Sequence, residues 1–416
     1  MNHFTSEVES REQPSARSYR IWLAFVLGSL SAFGPLSLDM YLPSLPALAK
    51  ELNTTTSLAQ LSLTFCLLGL SFGQLLAGPL SDMRGRRGPL LIALIVYAVS
   101  SLLCAFAPSV GILIALRFIQ GMAGSAGIVI SRAVVRDLYS GVELTKFFSL
   151  LMLVNGAAPI LAPVIGGQLL RIVSWPGIFI VLSVIGMVMF AAVRFGLPET
   201  LPAERRSEAG ILPTLTVFAK LLRNRTFMGY ALSQGLVVAA MFAYISGSPF
   251  VIQDIFGASP QMFSLFFAIN GVGIIIASQV TGRLAGQVRE ATLFVSGLVI
   301  AACGGVTLLV MIGMGAGLLA ILLPLFLVVS SVGVVTTAGF SLAMQDQKEA
   351  AGSASALLGL LSFIFGAILA PLVGIGGSQT AVPMGVVIAS ADVGALLCYM
   401  LFVRARRESQ QNVDEK

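Results

Sequence analysis

The sequence predicts an all-α membrane protein that crosses the bilayer twelve times, in two halves of six helices each. Of its 416 residues, 56% are hydrophobic and only 11% are charged, against about 25% charged residues in an ordinary soluble domain. Runs of about 20 apolar residues, the length that spans the hydrocarbon core as a helix, recur along the chain. With so few charged residues, most of the surface must face lipid rather than water.

A polar segment separates the first six apolar runs from the last six. The predicted helices are near 21–45, 56–80, 89–107, 109–131, 145–170 and 174–196, and then near 226–250, 260–282, 291–313, 316–341, 352–376 and 381–403. We therefore predict an N-terminal bundle at 21–196, a linker at 197–225 and a C-terminal bundle at 226–403. Residues 1–20 and 404–416 are the two terminal tails.

The distribution of basic residues predicts the orientation. An even number of crossings places both termini on one side of the membrane. With the termini inside, the outer loops hold only Lys50 and Arg171, and Arg117 lies within a helix, which leaves 22 of the 25 basic residues in inner segments. The positive-inside rule thus predicts that both termini are cytoplasmic. Because the basic residues are scattered over several loops, they do not indicate nucleic-acid binding despite the net charge of +6.

Three ionisable residues, Asp39, Arg117 and Asp392, lie well inside predicted helices. A rise of 1.5 Å per residue from the nearest outer loop places them about 16, 13 and 18 Å deep. These depths are near the middle of a hydrocarbon core about 30 Å thick. Such residues are costly in lipid and typical of ion or substrate pathways. A static ion pair between helices is the alternative for Asp39 and Arg117, and a wet crevice is the alternative for Asp392.

We expect Asp39 to exchange protons. Burial favours the protonated form of a carboxyl group and a nearby arginine favours the charged form, so a site that opens alternately to each side can shift this balance. Further residues at similar depth are predicted to line a substrate cavity, namely Tyr41, Gln234, Tyr244 and Asn270, with Met152 and Met241 as adaptable apolar contacts. Ordinary packing between helices is the alternative for each of them.

The inner loop after the second helix, at 78–91, reads GPLSDMRGRRGPLL. Its glycines permit a sharp turn and close helix approach, and Asp82 can face the positive N-terminal end of a neighbouring helix. Its arginines can pair with Asp137 and Glu143 on the next inner loop. We expect these contacts to stabilise one closure of an inner gate. A basic loop that only anchors the topology is the alternative.

Three segments resemble signatures of the major facilitator superfamily. The inner loop resembles Gly-x-Leu-x-Asp-x-x-Gly-Arg-Arg and matches it at Gly78, Leu80, Asp82, Gly85, Arg86 and Arg87. RFIQG at 117–121 resembles the fourth-helix signature Arg-x-x-Gln-Gly, which is often linked to proton coupling. NGAAPILAPVIGG at 155–167 resembles the Gly-Pro-x-x-Gly-Gly signature of drug/proton antiporters and contributes the predicted gating residues Pro159, Pro163, Gly166 and Gly167. Ala162 replaces the first glycine of that signature, and helix packing alone is the alternative.

DMYLP at 39–43, VRDLY at 135–139 and LPETL at 197–201 narrow this resemblance to the bicyclomycin/chloramphenicol-resistance branch (Bcr/CflA) of drug:H⁺ antiporters. The resemblance covers nearly the whole chain, and Asp39 falls on the acidic first-helix position of the branch. It implies the major facilitator fold and proton-driven export of small hydrophobic antibiotics across a bacterial inner membrane. The expected partners are the drug, H⁺ and lipid. We expect a monomer whose energy source is the proton gradient, without a cofactor.

Two other functions are alternatives to drug export. A transporter of the same superfamily can export an endogenous metabolite or an amino-acid derivative instead. A membrane enzyme or sensor belongs to a different class. The sequence contains no metal-ligating cluster, phosphate-binding loop or nucleophile elbow that would indicate an enzyme. Its longest inner segment is too short for a soluble output domain. We therefore predict a transporter that is not an enzyme and holds no metal.

Overall fold

The computed structural model describes residues 14–206, 212–345, 347 and 351–404. Twelve helices in this part of the chain are long and apolar enough to cross a membrane. No β-strand occurs in the same part, where the strand-like pairing is an isolated bridge between Ala285 and Val288. The predicted fold class is therefore confirmed. Of the predicted terminal tails, residues 14–20 are described and belong to the first helix, residue 404 is described, and residues 1–13 and 405–416 lie outside the described part of the chain.

Eight helices build the six spans of the N-terminal half. They are α1 (Pro14–Ser31), α2 (Phe33–Asp39), α3 (Leu45–Glu51), α4 (Thr56–Arg84), α5 (Arg87–Ala105), α6 (Val110–Leu138), α7 (Gly141–Leu169) and α8 (Trp175–Gly196). The first span combines α1, α2, a 3₁₀ turn at Leu42–Ser44 and α3. Side-chain caps begin two of the long helices, since Thr55 accepts from the Leu58 amide and Ser109 from the Ile112 amide.

Seven helices follow in the linker and the C-terminal half. They are α9 (Leu212–Arg223), α10 (Arg225–Pro249), α11 (Pro260–Leu284), α12 (Glu290–Gly313), α13 (Leu318–Met344), α14 (Ala351–Leu369) and α15 (Val382–Tyr399). Helix α9 falls within the predicted linker, and α10–α15 are the six spans. Short turns extend three of them, at Phe250–Ile255, Ala370–Gly376 and Met400–Arg404. Asn224 caps α10 and Ser259 caps α11.

Glycine brings α4 and α6 into very close contact. A Cβ atom on Gly121 would lie 2.2 Å from the Cys66 carbonyl oxygen, and one on Gly69 would lie 2.1 Å from that of Phe118. Such close backbone approach is how helices associate in lipid, where apolar burial drives packing less than it does in water. Large apolar side chains point outward instead, such as Phe195, which is 85% exposed. The outer surface therefore fits a lipid environment.

The first span departs most from its predicted bounds of 21–45. It breaks at Ala32 and again after Asp39, and then continues through α3 to Glu51. Pro43 lies in the 3₁₀ turn and Pro46 in the first turn of α3, positions where a missing amide hydrogen is tolerated. Helix α6 also ends later than predicted, at Leu138 rather than 131. Arg132 therefore lies on a helix and not in an inner loop.

Candidate functional site

A cavity of about 500 Å³ lies between the two halves. This volume falls in the range of sites for drug-sized ligands, about 300–1,000 Å³. Its wall is mostly apolar and aromatic with a few polar groups, and both halves contribute to it. The lining residues are Gly34, Pro35, Leu38, Asp39, Leu70, Gln74, Ile128, Arg132, Asn155, Gly156, Pro159, Ile160, Met241, Phe242, Tyr244, Ile245, Phe267, Asn270, Gly271, Ile274, Ile275, Val329, Val332 and Phe363.

Asp39 lines this cavity from the last residue of α2 and is 6% exposed. Among the described residues, none of the hydrogen bonds and ion pairs includes its carboxyl group. Arg117, the cation predicted as its static partner, is therefore not within ion-pair distance. A buried carboxyl group without a cationic partner is costly in its charged form.

Arg117 is fully buried behind the cavity wall. Its Nη1 donates to Gln120 Oε1 at 2.5 Å, and its Nη2 donates to the Ser37 carbonyl oxygen at 2.7 Å. The guanidinium carbon lies 4.3 Å from the centroid of the Tyr41 ring and 5.6 Å from that of Phe179. Two aromatic faces and two acceptors thus hold the cation in place. Arg117 stabilises the end of α2 rather than pairing with the carboxyl group of Asp39.

Two predicted residues of the C-terminal half line the cavity together. Asn270 Nδ2 donates to Tyr244 Oη at 2.8 Å. The Tyr244 ring stacks on Phe267, with 5.7 Å between centroids. Met241 lines the same wall, whereas the side chain of Met152 lies outside the described residues. The C-terminal half thus presents an aromatic surface with one fixed polar pair.

Besides Arg117, three other residues predicted for the site do not line the cavity. Tyr41 packs under Arg117, and its hydroxyl shares a 3.1 Å hydrogen bond with Ser62 Oγ. Gln234 is buried in the C-terminal half, where its Oε1 has no hydrogen-bond partner in the described structure. Asp392 is fully buried where α15 packs on α12, and a Cβ on Gly305 would lie 3.0 Å from its Oδ2. Depth along a helix does not determine the direction in which a side chain points, and direction excludes these three from the wall.

Sequence reasoning missed three polar lining residues: Gln74, Arg132 and Asn155. Arg132 was counted among the loop cations because the predicted helix ends at residue 131, one residue before it. A signal was available, because 15 residues separate Arg132 from Arg117, and at 3.6 residues per turn they lie only about 60° apart around the helix. Continuing the helix by two turns would have placed Arg132 on the inward face of α6.

At the opposite end from Lys50, which we call the inner end after the predicted orientation, Arg86 holds a polar cluster together. It contacts Asp82 and donates through Nε to Asp137 Oδ2 at 2.9 Å. Burial alone would lower the pKa of Arg86, but the hydrogen bonds and charges of Asp137 and Asp82 outweigh it and raise this pKa above its ordinary value. Among the described residues, this cluster joins segments of the N-terminal half to one another and not to the C-terminal half.

Glu199 occupies the helix N-terminus that was predicted for Asp82. Its carboxylate accepts from the Arg86 amide at 2.7 Å and from the Arg87 amide at 3.1 Å, at the first turn of α5. Negative charge is favourable there because the helix dipole and unpaired amides meet it. Gly85 has φ +89, and a Cβ atom on it would lie 2.6 Å from Glu199 Oε2. The loop glycine is therefore required by both backbone conformation and space.

The two halves are joined at the end that carries Lys50, the outer end. Lys50 Nζ lies 2.7 Å from Asp254 Oδ1. In the described part of the chain, side-chain donors of one half also reach backbone carbonyls of the other at this end: Ser57 to Pro371, Gln60 to Ser246, Gln253 to Pro43, Gln261 to Gly167 and Ser264 to Pro163. The cavity is thus closed at its outer end.

The predicted gating glycines of α7 lie at the outer end, where Gly166 faces Met40 of its own half and Gly167 faces Ser264 of the other half. A Cβ on Gly166 would lie 1.8 Å from the Met40 carbonyl oxygen, and one on Gly167 would lie 2.4 Å from Ser264 Oγ. Any side chain at either position would separate the helices. Pro159 lines the cavity instead, and Gly78 makes only an ordinary contact, since its added Cβ would lie 3.8 Å from Val129.

The family model described as Major Facilitator Superfamily matches residues 24–371. The chain belongs to this superfamily. It is similar, at 47% identity over 92% of this chain and 96% of the relative, to YdgK of Bacillus subtilis (strain 168), described as an uncharacterized MFS-type transporter. It is also 32% identical, over 92% and 96% of the two chains, to the bicyclomycin resistance protein homolog of Haemophilus influenzae.

A solved structure shares the superfamily fold. The crystal structure of a mutant of the nucleoside transporter NupG aligns with a TM-score of 0.76 at 14% identity, covering 92% of this chain and 100% of the other. At this identity the likeness is one of fold alone. The predicted family is confirmed, and the chain is a multi-pass membrane transporter of this superfamily.

Proposed function

We propose that the protein exports small, largely apolar antibiotics of the bicyclomycin/chloramphenicol type across a bacterial inner membrane in exchange for protons. The observation that carries this proposal is the position of Asp39, an unpaired carboxyl group in the wall of a drug-sized cavity between the two halves. The bicyclomycin resistance protein homolog, which is similar over 92% of this chain, supports the class of substrate.

The character of the cavity wall favours a substrate with apolar surface. Aromatic side chains, including Phe242, Phe267 and Phe363, and the flexible Met241 form much of it. Broad-specificity sites combine such adaptable apolar area with few fixed hydrogen bonds. The Asn270–Tyr244 pair supplies a fixed polar feature on one side.

Proton exchange requires a group that is stable in both forms as the transporter changes conformation. The protonated form of Asp39 suits a mostly apolar wall such as this one, because neutralisation removes the cost of an unpaired buried charge. Access to water or to a cationic guest would favour the carboxylate. In the proposed cycle, Asp39 takes up a proton when the cavity opens outward and releases it when the cavity opens inward.

The contacts between the halves are of the kind that alternating access needs to break. Among the described residues, the polar contacts are one ion pair with an exposed lysine and a set of single hydrogen bonds. Each hydrogen bond makes a net contribution of about 0.5–1.5 kcal/mol. Binding of a proton or ligand can supply the free energy to break several of them, because the coupling free energy between two sites is typically about 1–3 kcal/mol.

Export of an endogenous amino-acid derivative is the second candidate. The observation that favours it is the presence of both a carboxyl group, Asp39, and a guanidinium group, Arg132, in one cavity. Opposite charges at two points suit a zwitterion better than a wholly apolar drug.

The test is transport in proteoliposomes with an imposed pH gradient, using chloramphenicol, bicyclomycin and a cationic dye. We expect drug transport by the wild type that depends on the gradient, and loss of this dependence in Asp39→Asn. Asp392→Asn is the matched control, because it alters a buried carboxyl group that does not line the cavity.

Wild-type, gradient-dependent transport by Asp39→Asn would refute the assignment of the proton site. If the wild type transports none of these compounds but exports an amino-acid derivative, drug export is wrong and the second candidate function is supported.

A further inference from the structure

Arg132 is a cation of the cavity wall that the proposed proton site does not use. It projects from α6, is partly buried, and has a buried Nε with no hydrogen-bond partner in the described structure. None of the ion pairs among the described residues includes it. A guanidinium group in a mostly apolar wall carries a desolvation cost that acceptor oxygens would relieve.

The position of Arg132 relative to Asp39 follows from the packing of α2 on α6. Gly34 of α2 is level with Ile128 of α6, because a Cβ on Gly34 would lie 2.9 Å from Ile128 Cδ1. The helices run in opposite directions, so Arg132 is four residues inward of this level and Asp39 is five residues outward. At 1.5 Å per residue, the two charged residues are about 13 Å apart along the bundle axis.

At this separation the two charges act as independent recognition points. With an effective dielectric constant of about 20, their mutual attraction is of order 1 kcal/mol, too weak to neutralise either group. Asp39 is the one carboxyl group among the described lining residues. Asn155, which lines the same cavity, uses its Nδ2 to donate to the Leu151 carbonyl at 2.8 Å, and its amide oxygen is an acceptor rather than a counter-charge.

We propose that Arg132 is a specificity-determining residue that binds acceptor oxygens, such as those of a nitro, carbonyl or carboxylate group, at the inner end of an elongated substrate. The inference rests on the proposed function, since it takes the cavity as the path of transport. A planar guanidinium group suits paired acceptor oxygens, which it can contact through two parallel N–H groups. The favoured substrate class is an amphiphile with an apolar body and oxygen acceptors at one end. An apolar cation without such oxygens gains nothing from Arg132 and is repelled by it.

The experiment measures equilibrium binding of two probes to purified full-length protein in lipid nanodiscs. Chloramphenicol presents nitro oxygens at one end of an aromatic ring, and tetraphenylphosphonium is an apolar cation without acceptor oxygens. The variants are Arg132→Gln, Arg132→Lys and, as the matched control, Arg136→Gln. Arg136 lies one turn further along the same helix, is exposed and does not line the cavity.

We expect Arg132→Gln to weaken chloramphenicol binding by about tenfold to a hundredfold, the range for loss of a hydrogen bond to a charged group. Tetraphenylphosphonium should bind as tightly as before or more tightly, which also shows that the variant is folded. Arg132→Lys, which keeps the charge but lacks the planar pair of donors, should fall between wild type and Arg132→Gln. Arg136→Gln should match wild type with both probes.

Equal chloramphenicol affinities for Arg132→Gln and Arg136→Gln would overturn the assignment of Arg132 while leaving drug export intact. If the wild type does not bind chloramphenicol, the proposal that chloramphenicol is exported is wrong. The probe is then N-acetylphenylalanine, whose carboxylate supplies the acceptor oxygens. Loss of its binding in Arg132→Gln would then support the residue's role independently of drug export. Equal binding by both variants would overturn that role.

Discussion

Substitution of Gly166 by alanine should open the outer end of the transporter. The added Cβ would lie 1.8 Å from the Met40 carbonyl oxygen, whereas ordinary contact begins at 3.4 Å, so α7 and the end of α2 must separate by about 1.6 Å. The atom that the new Cβ would meet belongs to the Met40 backbone, so no side-chain rotation can relieve the clash. Helix α7 also carries the Gly167 and Pro163 carbonyls that accept from the C-terminal half, so we expect its displacement to loosen the outer contact between the halves.

The size of the effect follows from the neighbouring hydrogen bonds. Gln261 and Ser264 each donate to a carbonyl of α7 at 2.8 Å. A shift of α7 relative to the C-terminal half by this amount would take both beyond hydrogen-bonding distance. Loss of two bonds at about 0.5–1.5 kcal/mol each would destabilise the closed outer end by about 1–3 kcal/mol. That corresponds to a roughly fivefold to 150-fold shift in the conformational equilibrium.

Double electron–electron resonance can measure this shift with spin labels at Arg171 and Gln379. Both residues are exposed at the outer end, one in each half. Gly166→Ala should lengthen the mean distance between the labels, with a larger outward-open population. Gly156→Ala is the control on the same helix, because its added Cβ has no atom within 4 Å. A distance distribution for Gly166→Ala that matches both wild type and this control would refute the reasoning.

Two further substitutions test contacts at opposite ends of the bundle. Lys50→Gln removes the ion pair with Asp254, but Lys50 is 74% exposed. We therefore expect the free-energy difference between the closed and open outer end, read from the same label distances, to change by at most about 1 kcal/mol and by less at high salt. A large, salt-independent opening would contradict a screened surface pair. Gly85→Ala forces a side chain into a backbone with φ +89 and against Glu199, and should lower thermal stability by about 1–2 kcal/mol. Gly88→Ala has open space around it, and equal stability of the two variants would show that Gly85 is not under this constraint.

The sequence predicted the number of spans and their approximate positions because hydropathy reports on the lipid directly. It also pointed to Asp39, which lies in the cavity wall, since a carboxyl group in an apolar run is conspicuous. Depth counting placed Asp392 as deep in the membrane as Asp39, but the structure buries Asp392 between α12 and α15, away from the cavity wall. Rotation about the helix axis and lateral packing decide which of two equally deep residues reaches a cavity, and hydropathy contains neither.

Arg132, in contrast, lines the cavity but was not predicted to do so. Sequence reasoning discounts it because the predicted end of α6 falls one residue before it, and a cation just outside a span is ordinarily a topology signal. Helix ends in a transporter extend beyond the hydrocarbon core, where composition no longer distinguishes helix from loop. Glu199 was missed as a cap of α5 for another reason: it is more than a hundred residues from the amides that it accepts from, and local sequence patterns do not report such contacts.

The break in the first span connects the proposed proton site to the outer contact. Helix α2 ends at Asp39, and carbonyl groups on both sides of this residue serve contacts outside the first span. The Ser37 carbonyl accepts from Arg117, the Met40 carbonyl meets Gly166, and the Pro43 carbonyl accepts from Gln253.

An unbroken helix would direct the first two of these carbonyls to its own amides. The break makes them available to neighbouring helices and places a titratable group among them. Under the proposed mechanism, loss of the proton from Asp39 would charge a segment that contacts both Arg117 and the outer closure. The same seven residues, 37–43, would therefore respond to the proton and hold the gate, without a separate relay between them.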